Sequence, residues 1–217
     1  SGSGNDIIDA GNGDNIIDAG SGNDTVNTGN GNDIVDGGNG DNDINAGDGD
    51  NNVTAGAGSD TIETGDGRDV IDAGSGNNDI VSGGGDDDIT TDSGSDIIFA
   101  GDGKDEIHAG GGDDTIIGGS GIDYLYGGAG NDLFVFNKDE TSRDGDSVTD
   151  WIRDFNSGDK IILPYGMGVD KIFDGTGSGY SFVDVPSLLS FANEKLGNTI
   201  KYFIGKITTS NNDLYLV

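Results

Sequence analysis

Numbering the chain in rows of nine from Ser1 puts an aspartate or asparagine at the sixth position of fifteen consecutive rows, through residue 135. These are Asp6, Asn15, Asp24, Asp33, Asn42, Asn51, Asp60, Asp69, Asn78, Asp87, Asp96, Asp105, Asp114, Asp123 and Asp132. Side-chain oxygens at so strict an interval suit two kinds of chemistry. Carboxylates are hard ligands for a divalent cation, and Asx side chains also close turns on backbone N–H groups without any metal. Thiolate and paired-histidine sites are excluded, because the chain has no Cys and one His, His108. No G-x-S-x-G elbow, phosphate-binding loop, dinucleotide fingerprint or EF-hand consensus occurs. We therefore expect no catalytic residues and no enzyme, with the fifteen sixth-position residues as the candidate metal ligands.

The rest of each row says how these residues are positioned. The fourth position is Gly in every row and the second is Gly in all but one, where Asp92 stands. The eighth is always apolar, from Ile8, Ile17 and Val26 to Leu125 and Phe134, and thirteen of the fifteen are Ile or Val, which favour strands. Each row reads as a six-residue Gly-rich turn followed by a three-residue strand whose middle side chain points inward. Two rows then make one turn of a flattened, all-β solenoid with 18 residues per turn. Each residue stacks on its counterpart eighteen positions on, and odd and even rows build two parallel sheets.

Stacking places carboxylates of one column ~5 Å apart, one strand spacing, where like charges oppose folding. Residues 1–135 hold 29 acidic and 2 basic side chains, within a chain of net charge -31. A cation between turns answers that repulsion. Ca²⁺ suits the pattern, since it takes 6 to 8 oxygen ligands in flexible geometry and Gly-rich loops expose carbonyls beside each carboxylate. Without it the array is expected to be disordered. The four Asn rows read as weakened sites, with Asp14, Asp41 and Asp50 placed to compensate in three of them, and Asp92 should distort its loop. A metal-free solenoid closed by Asx-turns is the competing reading.

The consensus resembles the Gly-Gly-x-Gly-x-Asp-x-U-x repeat of RTX proteins. The resemblance implies a calcium-loaded parallel β-roll in which each ion lies between the loops of rows n and n+2. The array allows up to about 13 such ions, by the ligand logic of calcium sites. The stretch Asp150-Trp151-Ile152-Arg153-Asp154-Phe155, with Gly158-Asp159-Lys160-Ile161, resembles the segment that caps the roll of serralysin-type proteases. We expect residues 1–136 to be the roll, and 137–217 to be a small C-terminal cap and type I secretion-signal region.

Within the cap, residues 186–196 read as one short helix, and 202–207 with 214–217 as a closing hairpin. Trp151 and Phe155 read as cap core. Late in the array Val81, Ile97, Phe99, Ile117, Leu133 and Val135 turn the odd face apolar, so the cap is expected to fold over it. Tyr124 and Tyr126 decorate the even face and should pack on the cap. So acidic a chain is a poor partner for nucleic acid, and no apolar run is long enough for membrane insertion.

The resemblance implies calcium ions and the type I secretion machinery as partners, a secreted or cell-surface location, and a monomer in isolation. The array starts at Ser1 without lead-in, from which we expect a fragment of a longer secreted protein, and we expect that parent to be a large adhesin with this chain as its C-terminal part. A secreted protease, lipase or epimerase is the alternative parent. An ice- or carbohydrate-binding face is disfavoured by irregular third positions, Ser3, Asn12, Ser21, Asn30, Asn39, Asp48 and Ala57.

Overall fold

The computed structural model describes residues 1–136, 150–156, 158–162 and 214–215. Alternation along a strand sends every second side chain to the same side. Here it sends positions six and eight, and the first position of the next row, into the coil. Eighth-position side chains from Val26 to Phe134 are buried. Beside them runs a second inward column that the strand-only reading missed, made of Ala19, Ala46, Ala55, Ala73, Ala100 and Ala109 with Thr28, Thr64, Ser82 and Thr91. Only small residues fit beside the sixth-position side chain. The buried hydroxyls cost nothing unpaired, because Thr28, Thr64 and Ser82 donate to the carbonyls of Ala46, Ser82 and Ala100 at 2.7–2.8 Å.

Two nine-stranded sheets result. One runs from Ile16–Asp18 and Ile34–Asp36 through Tyr124–Tyr126 to Trp151–Ile152 and Leu214–Tyr215, the other from Ile7–Asp9 and Thr25–Asn27 through Leu133–Val135 to Lys160–Ile162. Pairing is parallel with a register of eighteen, as in Ile8↔Val26 and Ile80↔Ile98. Odd and even rows thus form separate sheets, as the period predicts. Among the described residues there is no helix.

Glycine is demanded by how closely the turns stack. Gly85 has φ +134°, and a Cβ there would lie 1.7 Å from the Gly67 carbonyl oxygen. A local slip accompanies the exception, Asp92. Gly74 pairs with Thr91 after a one-residue register shift, and the Asp92 N–H reaches the Gly74 carbonyl at 2.9 Å. The same slip occurs at Thr64, where Gly65 lacks a positive φ. Pairing recovers at Ser93↔Gly111. The expected distortion is therefore confined to two residues.

Beyond Phe136 both sheets continue with a register of 27. Trp151–Ile152 pairs with Tyr124–Tyr126 and Lys160–Ile162 with Leu133–Val135, both parallel. Ile152 and Ile161 extend the buried column. Trp151 differs from the expectation: neighbouring residues of a strand face opposite ways, so with Ile152 inside it lies outward and half-buried beside Tyr124. Phe155 is buried, its ring centroid 6.2 Å from that of Phe134. Leu214–Tyr215 pairs antiparallel with Trp151–Ile152. The helix expected over 186–196, the 202–207 arm of the hairpin and the segment expected to cover the odd face lie outside the described residues.

Candidate metal centre

The sixth-position side chains form one continuous ladder inside the coil. From Asp24 to Asp132, the Oδ1 atom of each accepts the backbone N–H of its counterpart in the preceding turn, from Asp6 N–H to Asp24 through Asp114 N–H to Asp132, all at 2.7–3.1 Å. From Asp24 to Asp132 every member is buried, while Asp6 and Asn15, in the first coil, are partly so. The thirteen candidate ligands from Asp24 to Asp132 thus lie in equivalent places, including Asp96 in the loop that carries Asp92, while Asp6 and Asn15 take part through their N–H groups.

That ladder uses one oxygen of each carboxylate. The second, Oδ2, is buried without a hydrogen-bond partner at Asp24, Asp33, Asp60, Asp69, Asp87, Asp96, Asp105, Asp114 and Asp132. A buried anionic oxygen left unpaired is strongly unfavourable. Burial accordingly pushes the carboxyls of Asp60, Asp69 and Asp132 up to about 6, Asp114 to about 7 and Asp105 to about 8. Asp87 is also raised, for the same reason. Each such group needs either a proton or a cation.

The Asn rows mark the surroundings of that second atom. Asn51 Oδ1 makes the same ladder bond as an Asp, and its Nδ2 donates to the carbonyls of Gly47 and Gly49, both at 2.9 Å. Asp and Asn are isosteric, so an Asp Oδ2 at this station faces the second- and fourth-position carbonyls of its own loop. Oxygen faces oxygen there, which is the arrangement a hard cation joins. Among the described residues no three His, Cys, Asp or Glu side chains converge on a point, so an ion in this cradle would draw most of its ligands from backbone carbonyls. The residues present fit Ca²⁺, with the sixth-position carboxylates as its charged ligands.

Two further acids join the ladder. Asp150 Oδ1 accepts from Asp123 N–H and Asp159 Oδ1 from Asp132 N–H, both at 3.0 Å. Burial raises Asp159 as it does the others. The Asp-x-Ile pattern at Asp150 and the Asp-x-Ile at Asp159 carried this signal, masked by the change of spacing from 18 to 27. Asp154 closes the same turn by accepting the N–H groups of Gly127 and Gly128 at 2.9 and 2.8 Å.

Asp14, Asp41 and Asp50 do not turn toward the Asn loops through their bonded oxygens. They are exposed, and each Oδ1 accepts the N–H of the following turn, at Asn32, Ser59 and Arg68 respectively, at 2.9 Å. They belong to a second, outer ladder at the fifth position, which also includes Asn5, Asn23 and Asn32. His108 stacks on Tyr126 with centroids 4.2 Å apart and touches Glu106 at 3.1 Å. Tyr124 lies against Trp151, with Arg153 over both rings.

Comparison with curated proteins returns no match. Comparison with protein families matches the RTX calcium-binding nonapeptide repeat, in four-copy matches over residues 1–35, 19–53, 36–71, 46–80, 54–89, 81–116, 90–124 and 108–139. Those matches span the ladder from Asp6 to Asp132 and well over half of the 217 residues. With a parallel two-sheet coil, a glycine-lined stack and carbonyl-faced carboxylates all in phase with that repeat, the chain belongs to the RTX calcium-binding nonapeptide repeat family.

Proposed function

We propose that this chain is the calcium-folded, C-terminal module of a large secreted RTX adhesin, disordered at low calcium and ordered by Ca²⁺ after type I export. The observation that carries the reading is the column of buried Oδ2 atoms without a hydrogen-bond partner. At neutral pH, burying so many carboxylates opposes folding, whereas a doubly charged ion between turns neutralises them and adds carbonyl ligands. Binding free energy then becomes folding free energy. The ligands are the sixth-position aspartates from Asp6 to Asp132, while Asp150 and Asp159 continue the hydrogen-bonded column. RTX repeats are typical of secreted proteins, and the sole His at an outer strand position supports a structural rather than a catalytic module.

Circular dichroism during calcium titration of metal-free protein tests the reading, with matched magnesium as control. A cooperative coil-to-β transition specific to calcium, near the millimolar range of extracellular modules, is expected. A β signal indifferent to chelation would overturn it. The rest of the parent's reading frame distinguishes an adhesin from a secreted enzyme.

A further inference from the structure

The four Asn residues in the ladder do not behave alike, and their amide nitrogens show what fills the cradle in their rows. Asn15 Nδ2 donates to the Gly11 carbonyl at 2.9 Å, to the Gly13 carbonyl, and across to Asp33 Oδ1 in the next turn at 3.0 Å. The Thr28 carbonyl of that next turn lies 3.4 Å away. One nitrogen thus sits among oxygens of two successive turns. Asn51 Nδ2 bonds Gly47 and Gly49, and Asn78 Nδ2 bonds Gly74 and Gly76 at 3.4 and 3.2 Å. Asn42 is the exception, with one bond of 3.3 Å to the Ala55 carbonyl.

The orientation of the Asn51 and Asn78 amides follows from their other end. Oδ1 of Asn51 and Asn78 accepts the N–H of Asp33 and Asp60 at 3.0 Å, which leaves the NH₂ group for the glycine carbonyls of the same loop. An amide nitrogen is a donor with no free lone pair for a metal. For Asn to act as an oxygen ligand toward its own loop it would have to flip, and the flip would break the ladder bond and leave a buried N–H unpaired.

We infer that the side-chain amides of Asn15, Asn51 and Asn78 take the place of the ion, so that their loops close without calcium. This rests on the reading that calcium occupies the equivalent cradle of the Asp rows. For these three rows it reverses the expectation of weak calcium sites: they are metal-independent turns. They are also unevenly placed. All four Asn lie at or before residue 78, and from Asp87 to Asp132 every sixth position is Asp. Calcium demand is therefore concentrated toward the C-terminal half of the roll, while the N-terminal half interleaves metal-dependent with metal-independent turns.

Native mass spectrometry of the calcium-saturated full chain counts bound ions directly. Asn51→Asp and Asn78→Asp are each expected to bind one ion more than wild type, and the double variant two more. Asp69→Asn should bind one fewer and keep its β signal at saturating calcium. Wild-type and Asn→Asp proteins with equal, non-zero counts would overturn the inference. Side-chain amide exchange by NMR supplies a readout that needs no variant to fold. In calcium-saturated wild type the Asn51 and Asn78 amide hydrogens should exchange slowly, and solvent-like exchange would overturn the inference. A wild-type chain that folds yet binds no ion would sink the calcium reading itself, while leaving slow amide exchange intact.

Discussion

Acid should do part of the work of calcium. In metal-free protein the folded coil holds Asp60, Asp69 and Asp132 near pKa 6, Asp114 near 7 and Asp105 near 8, because burial penalises their charged forms. In the unfolded chain these carboxyls return to the ordinary value of 3.8. Between about pH 4 and pH 8 the folded state therefore binds more protons than the unfolded one, and its stability falls as pH rises. The contribution is full below the unfolded pKa and is lost as pH rises through the folded values. From about pH 8 to about pH 5, the three groups near 6 each titrate over one pH unit, Asp114 over two and Asp105 over three. At ~1.4 kcal/mol per unit this is about 11 kcal/mol, of which coupling along the column and solvent screening leave roughly half.

A gain of about 5 kcal/mol shifts the metal-free folding equilibrium several thousandfold. Far-UV circular dichroism in excess chelator reads it, with a fixed concentration of stabilising osmolyte to bring the transition into range. Working at or above about pH 5 stays clear of the sequence pI of 4.1, and sedimentation velocity verifies the monomer. High salt at about pH 8 is the control, since it screens exposed charges but leaves buried ones unpaired. A β signal that is constant or rises with pH would refute the argument that buried carboxylates keep the metal-free chain unfolded.

Other outcomes follow from the packing. Gly85→Ala should destabilise the calcium-saturated roll at least twice as much as Gly13→Ala in urea unfolding; the latter meets nothing within 4 Å and suffers only its positive φ, about 1–2 kcal/mol. Ile80→Ala, at a fully buried eighth position, should cost about 2–5 kcal/mol in the same assay, and the partly buried Ile8 distinctly less. Asp159→Ala removes the acceptor for Asp132 N–H at 3.0 Å and for Asn156 N–H at 2.6 Å. It should speed hydrogen exchange at Asp132, with a loss of about 2–5 kcal/mol, whereas Asp159→Asn should retain the first bond.

The coil was legible because its signals repeat: Gly at the second and fourth positions, Ile or Val at the eighth and Asx at the sixth all keep one phase. The first-position column was not, because Ala19, Thr28, Ser82 and Gly118 share only small size, and their inward direction follows from strand alternation rather than from residue type. The fifth-position ladder hid for a similar reason, since Asn5, Asp14 and Asn23 have in common an acceptor oxygen and little else. The fifteen candidate ligands were found by spacing, yet spacing treats Asn as a poorer Asp. Which atom of Asn51 faces the glycines depends on the N–H of Asp33 a full turn away, a partner that no local reading supplies. Asp150 and Asp159 carried the right pattern at the wrong interval.

The change of register from 18 to 27 at the end of the roll shows how such a coil measures itself. Phe134 meets Ile161 as squarely as Ile116 meets Phe134, although nine more residues separate the first pair. The stack therefore specifies which residues coincide, not how much chain is spent between them. Excess length between two sheets costs only a slowly growing closure entropy. A roll of this kind can host inserted sequence between its sheets and resume counting on the next turn.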